Sequence, residues 1–239
     1  MKIAFLASAK PAAQQALSEL VQRYGQSDLS DADYIVAIGG DGTVLKALHA
    51  ALLTARKAVF AMRAAGSLGF LANRFAVARL PQRLRMARSV TLHPLKADAE
   101  RAGGAITTVF AINEFVLMRR RLQAAKLRVA TTGGECFAHV VGDGLLVATP
   151  IGSTGYNRSA GGPVLPHESS LLALTGLAVH RRSDWANTII SNSATIEVEV
   201  LEPAHRPVRL ETSLQVTDVC RVRISCDRDT ALQLLFDGS

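Results

Sequence analysis

Residues 38 to 48, Ile-Gly-Gly-Asp-Gly-Thr-Val-Leu-Lys-Ala-Leu, set three glycines and one carboxylate between a β-forming run and an apolar-periodic helix. Gly39, Gly40 and Gly42 let the backbone turn sharply and approach a ligand closely. The first N–H groups of a helix have no partner within it and lie at the positive end of its dipole, which makes an anion site. Asp41 sits inside that site. A carboxylate beside phosphate is repulsive unless it binds a metal, accepts a hydrogen bond or takes a proton from an attacking hydroxyl. Thr43 is placed to cap the helix or to bind phosphate. The same residues also suit a plain strand-to-helix turn capped by Asp41. Neither the GxxxxGK[ST] loop nor the GxGxxG dinucleotide fingerprint is present.

A second segment runs from Gly142 through Asp143 and the apolar stretch Leu145 to Ala148 into Thr149-Pro150-Ile151-Gly152-Ser153-Thr154-Gly155-Tyr156-Asn157-Arg158-Ser159-Ala160-Gly161-Gly162-Pro163. Such a loop offers backbone and hydroxyl hydrogen bonds, with Tyr156 as an aromatic surface for a base. A Ser/Gly surface loop would carry a freer composition and no flanking Asp143. The third signal, Asn113-Glu114, is weak alone, because an Asn-Glu pair at a strand end is usually solvated.

Alternating elements must position these residues. Lys2 to Ala7, Tyr34 to Ile38 and Ala58 to Met62 read as buried strands, separated by helices over Ala12 to Tyr24 and Val44 to Leu53. Leu80 to Arg88 reads as a further helix entered through Pro81. This β-α-β-α-β order predicts an α/β N-terminal domain with a parallel sheet over residues 1–100. Beyond it, Ile106 to Met118, Lys126 to Thr131, Cys136 to Val141, Thr195 to Leu201 and Val219 to Ser225 are extended runs punctuated by glycine, including a Gly133-Gly134 turn. They predict a mainly β second domain over 101–224, with Ala231 to Phe236 returning as a strand to the first domain.

The chain has 239 residues, with 27 Lys+Arg against 20 Asp+Glu, a net charge of +7 that suits phosphate-rich ligands. Aromatics at 5% leave no stacking platform among the arginines, so nucleic acid is not an expected partner. The apolar runs fall short of the ~20 residues a spanning helix needs, and Ile3 to Ala7 is too short for a signal-peptide core. Cys136, Cys220 and Cys226 have no CxxC spacing, so neither a disulfide framework nor a zinc site is expected, and the expected location is the cytoplasm.

Taken together, GGDGT (39–43), GSLGFL (66–71), AINE (111–114), QAAKLR (123–128) and DGLLVATPIGSTGYNRSAGGP (143–163) resemble the NAD kinases, in a branch like that of alphaproteobacteria. GGDGT also occurs in lipid kinases and phosphofructokinases; the Asn-Glu pair and the 149–163 loop make the likeness specific. The resemblance implies phosphoryl transfer from ATP, or polyphosphate, to the 2′-hydroxyl of the adenosine ribose of NAD, giving NADP. Asp41 would act as base or orienting group at that hydroxyl, with Gly39, Gly40, Gly42 and Thr43 shaping the phosphate loop. Asn113 and Glu114 would bind adenosine and ribose, Asp143 would hold polar groups of the dinucleotide, and Thr154, Gly155, Tyr156 and Ser159 would line its pocket. The resemblance further implies Mg²⁺ or another divalent cation carried by the nucleotide with no dedicated protein metal site, and a homodimer or homotetramer.

The chain departs from that pattern in several places. Ahead of Gly66, Ala61-Met62-Arg63-Ala64-Ala65 holds no Asn where related sequences carry one, and the stretch has one extra residue. Ile151 stands where a small residue is common, and Gly155 replaces a usual Ala. In Arg209-Leu210-Glu211-Thr212-Ser213, where related sequences often show an Asp-His or Asp-Gly element, Ser213 stands where the branch places a His. Altered donor choice, lowered turnover, or dinucleotide binding without catalysis are the alternatives these departures open; a lipid or other small-molecule kinase would leave Asn113-Glu114 and the 149–163 loop without a task.

Overall fold

Alternation of β-branched runs with amphipathic segments folds here into βαβ units, as the sequence predicts. The structure is a computed structural model, and it describes residues 1–54, 57–66, 71–131, 136–180 and 187–238. The expected Gly133-Gly134 turn and Ser67 to Phe70 of the GSLGFL stretch lie outside the described residues. The chain divides into two units, Met1–Leu92 joined by the tail from Thr230, and His93–Asp229.

In chain order the first unit holds β1 (Ile3–Ala7), α1 (Pro11–Tyr24), β2 (Tyr34–Ile38), α2 (Asp41–Leu53), β3 (Ala58–Arg63), β4 (Asn73–Arg74), α3 (Leu80–Met86) and β5 (Arg88–Leu92). The second begins with β6 (Leu95–Arg101), β7 (Ile106–Ala111), β8 (Glu114–Arg119), β9 (Ala125–Thr131), β10 (Cys136–Gly142) and β11 (Gly144–Ala148). A single α-helical turn, α4 (Tyr156–Ser159), precedes β12 (Leu171–Leu177), β13 (Thr188–Ser191), β14 (Ile196–Val200), β15 (Val208–Glu211) and β16 (Gln215–Cys226). The last strand, β17 (Leu232–Phe236), returns to the first unit.

In the first unit β1, β2 and β3 pair in parallel, and β17 lies between β3, to which it is parallel, and β5, to which it is antiparallel. Helix α1 starts on Pro11, whose missing N–H costs nothing at that position. It buries Ala13, Ala16 and Leu20 and ends at Gly25, whose φ of 75° suits glycine. Those residues, with Leu80 and Leu84 of α3, pack on Ile3, Phe5, Val36, Ile38, Phe60 and Met62. Full burial of each of the larger side chains stabilises by about 1.5–3 kcal/mol. The expected helix to Arg88 stops at Met86 instead, because Arg88 opens a strand that pairs with Phe236.

The second unit is an antiparallel sheet ordered β10-β9-β14-β16-β15-β8-β11-β12-β13, with β6 on β16 and β7 on β6. The chain leaves the first unit at Leu92, ahead of the expected boundary near residue 100. Leu95, Ala97 and Ala99 alternate with period two and are fully buried against the second sheet, so residues 93–100 fold with it. The Ile106 to Met118 run breaks at Ile112-Asn113 into β7 and β8. Strand β11 is buried on both faces: Leu145 and Val147 enter the main core, and Leu146 and Ala148 a second cluster with Val116, Ala173 and Leu165. The chain after β11 therefore folds back over its own strand.

Asn73 ties the tail into the first sheet. Its Nδ2 donates to the carbonyls of Ala61 (2.9 Å) and Leu235 (3.0 Å), and its Oδ1 accepts from Asp237 N–H at 2.8 Å. Arg83 adds a paired contact to Asp237 at 2.8 and 2.7 Å while stacking over Phe60, 5.0 Å from the ring centre. Replacing Asn73 by Ala removes three hydrogen bonds, two of them buried, and the expected loss of stability is about 2–4 kcal/mol by urea unfolding. A loss well below that range would show that the tail is fixed by other contacts.

Candidate active site

Each unit carries one cluster of the expected residues. In the first, β2 ends at Ile38 and the sheet is carried one residue further, with Gly39 N–H donating to Met62 O at 3.0 Å. A side chain at Gly39 would run into that of Thr43, so the turn can be this tight only with glycine there. Gly40 occupies the helix cap position, and Thr43 N–H donates to its carbonyl at 2.8 Å to close the first turn of α2. Asp41 is therefore the first helical residue rather than the cap. Its carboxylate, half-buried, accepts the Leu71 N–H at 3.1 Å and so ties the loop ahead of β4 to the start of α2. Gly42 is exposed and Thr43 half-buried.

The second cluster forms where β7 gives way to β8 and β11 gives way to its following loop. Thr149 holds the two segments together: its N–H donates to Asn113 O at 2.8 Å, and its hydroxyl lies 2.8 Å from Ile112 O and 3.0 Å from Asn113 O. The same hydroxyl accepts Gly152 N–H at 3.2 Å, and Gly152 lies so close to the Asn113 carbonyl that any side chain would overlap it. The clamp leaves Asn113 Oδ1 and Glu114 Oε2 buried with no hydrogen-bond partner among the described residues. Burial raises the Glu114 carboxyl to about 7, because its charged form is poorly solvated.

The loop after Thr149 sorts into a buried and an exposed set. Ser153 and Asn157 are fully buried. Ser153 Oγ donates to Pro150 O at 2.6 Å and accepts Leu165 N–H at 2.9 Å. Asn157 donates to the carbonyls of Pro163 (2.8 Å) and Ser153 (3.2 Å), and accepts the Thr175 hydroxyl at 2.6 Å. These residues staple the loop; the composition of the loop gave no sign of which hydroxyls would serve this way. Thr154, Gly155, Tyr156 and Ser159 form the exposed set, and Tyr156 is 44% accessible.

Two expected positions stand elsewhere in the same unit. Asp143 lies beyond the far end of β11: Ala148 pairs with Glu114 but Gly144 with Met118, a separation of about 14 Å along the strand. There Asp143 pairs with Arg119 at 2.5 Å. Ser213 is exposed in the turn between β15 and β16, closed by Thr212 N–H to Leu214 O at 2.8 Å. Among the described residues no group of three or more His, Cys, Asp or Glu side chains converges in metal-binding geometry.

The raised Glu114 carboxyl predicts a pH effect of definite sign. In the unfolded chain it titrates near 4.5 and in the fold near 7, so between those values the unfolded state loses its proton first. Stability falls as pH rises through that window and is flat above it. Glu114→Gln is expected to stabilise the ligand-free protein by about 1–2 kcal/mol at pH 8, after screening by nearby solvent, with no gain at pH 4. Denaturant unfolding at both pH values checks this; a gain independent of pH would contradict it.

Residues 112–228 match the family model described as ATP-NAD kinase C-terminal domain. The NAD kinase of Rhizobium meliloti (strain 1021) is 42% identical over 236 residues, covering 98% of this chain and 91% of the relative. That of Hyphomonas neptunium is 39% identical over 238 residues, covering 99% and 92%. In fold, the chain is similar to yeast NADH kinase complexed with NADH (TM-score 0.85, 18% identity, 100% of this chain and 84% of that one). It is also similar to an NAD kinase from Archaeoglobus fulgidus in complex with ATP (TM-score 0.75, 22% identity, 100% and 94%). The likeness runs through both clusters, from the glycine turn of the first unit to the clamped Asn-Glu pair of the second, and on this extent and identity the chain belongs to the NAD kinase family.

Proposed function

We infer that the protein phosphorylates the 2′-hydroxyl of the adenosine ribose of NAD, with ATP as donor, and releases NADP. The observation that carries this reading is the pair of buried, unpartnered acceptors, Asn113 Oδ1 and Glu114 Oε2, beside an exposed hydroxyl-rich loop. An acceptor buried without a partner costs free energy that only an incoming donor can recover. Ribose hydroxyls and the adenine amino group are such donors. Tyr156 offers a ring face for a base, and the exposed Thr154, Gly155 and Ser159 offer polar contacts around it.

Asp41 is assigned the proton of the attacking hydroxyl. As the ribose oxygen attacks the terminal phosphorus of the donor in line, the O–P bond to the leaving diphosphate breaks and the hydroxyl proton passes to the carboxylate. The positive end of the α2 dipole, with the Gly42 N–H in its first turn, would face the charge that builds on the phosphoryl oxygens. Donation from Leu71 N–H orients the carboxylate before the substrate arrives. A divalent cation, Mg²⁺ in this reading, would arrive on the donor's phosphate oxygens with Asp41 as the nearest carboxylate of the turn, and would neutralise phosphate charge. Asp143, paired with Arg119, remains a proposed contact for polar groups of the dinucleotide. A homodimer or homotetramer in the cytoplasm is the proposed state; no described helix is long and apolar enough to cross a membrane.

Purified protein given Mg²⁺, ATP and NAD is expected to form NADP. Asp41→Asn should lower turnover at least about a thousandfold while NAD binding changes little, because the lost interaction is made only in the transition state. Saturable NAD binding by the unaltered protein with no NADP across donors, metals and pH would instead favour a non-catalytic dinucleotide-binding protein.

A further inference from the structure

Four strand ends come together at the carboxyl edge of the first unit's sheet. Ser8 N–H donates to Ile38 O and Gly39 N–H to Met62 O, each at 3.0 Å, and Arg63 of β3 stands in parallel register with Arg74 of β4. Both arginines are exposed, and neither guanidinium has a hydrogen bond or ion pair among the described residues. Two other charged groups near this pair are engaged. Arg83 holds Asp237 and the Arg74 carbonyl, and Asp41 accepts from Leu71, three residues ahead of Arg74.

The second unit treats its strand arginines differently. Arg119 is matched to Asp143, Arg128 to Glu199, Arg209 to Glu211 and Arg223 to Glu197. Register neighbours on adjacent strands lie about 4.8 Å apart, and like charges placed so repel. An anion lying across both guanidiniums reverses that sign, and arginine's planar fork suits phosphate oxygens. The amides of Gly40 and Gly42, at the end of the adjacent strand, offer the same anion further donors.

We propose that Arg63 and Arg74 bind the phosphate chain of the phosphoryl donor and set this protein's affinity for it. This assignment rests on the kinase reading above. The ligand chemistry is a linear run of phosphates, supplied either by a nucleoside triphosphate or by inorganic polyphosphate.

Calorimetric titration of the full chain with inorganic tripolyphosphate tests the site without requiring turnover. The unaltered protein binds it; Arg63→Ala and Arg74→Ala each weaken binding about tenfold, and Arg63→Lys and Arg74→Lys restore most of it. In steady-state assays the KM for ATP rises about tenfold in each Ala variant while the KM for NAD stays within about twofold. Repeating the series with polyphosphate as donor shows which source the pair discriminates. Both positions are exposed, so thermal unfolding is expected to stay near that of the unaltered protein. Equal tripolyphosphate affinity in all forms, no binding by the unaltered protein, or matching rises in both KM values would each overturn the assignment. Absence of NADP formation by the unaltered protein, with the tripolyphosphate differences intact, would overturn the kinase reading and leave an anion site.

Discussion

The contact between Thr149 and the Ile112-Asn113 backbone is the interaction on which the second unit's site depends. It joins segments 36 residues apart, and it does so at the end of a strand buried on both faces. With Gly152 pressed on the Asn113 carbonyl, the Asn-Glu pair cannot turn outward to find water or a neighbouring donor. The result is a preorganised deficit: acceptors fixed in place, desolvated, and without a hydrogen-bond partner among the described residues. The raised Glu114 carboxyl is the electrostatic expression of the same deficit.

The first unit is built on a different constraint. A parallel sheet ends several strands at one edge, and α2 begins there with the positive end of its dipole. The carboxylate at this edge is oriented by a backbone amide, and the neighbouring arginines have no ion pair among the described residues. The tail strand β17, locked by Asn73 and Arg83, completes the same sheet, so residues near both ends of the unit's sequence stabilise the edge that carries Asp41.

Much of this was legible from the sequence. Glycine spacing after YIVAI marked the turn, since few other arrangements need three glycines around one aspartate. The Asn113-Glu114 pair and the 149–163 loop were visible as candidates, but not as one cluster. The period-two spacing of Leu95, Ala97 and Ala99 was also present in the sequence, yet a short strand at a domain boundary is hard to place when one of its two partners, β16, lies more than a hundred residues away. Within the loop, Ser153 and Asn157 read the same as Thr154 and Ser159. Only folding decided that the first two are inside and the last two outside.

By itself the sequence determined the alternation of elements, the position of the glycine turn and the likeness to the NAD kinases, because periodicity and glycine placement are local properties of the chain. The tertiary structure alone decided that Asn113 and Glu114 lose their solvent, that Asp143 stands a strand's length away from them, and that Arg63 and Arg74 lie side by side. Burial, register and pairing belong to residues distant in the chain. Their energies are set by which neighbours arrive, and no local pattern encodes that.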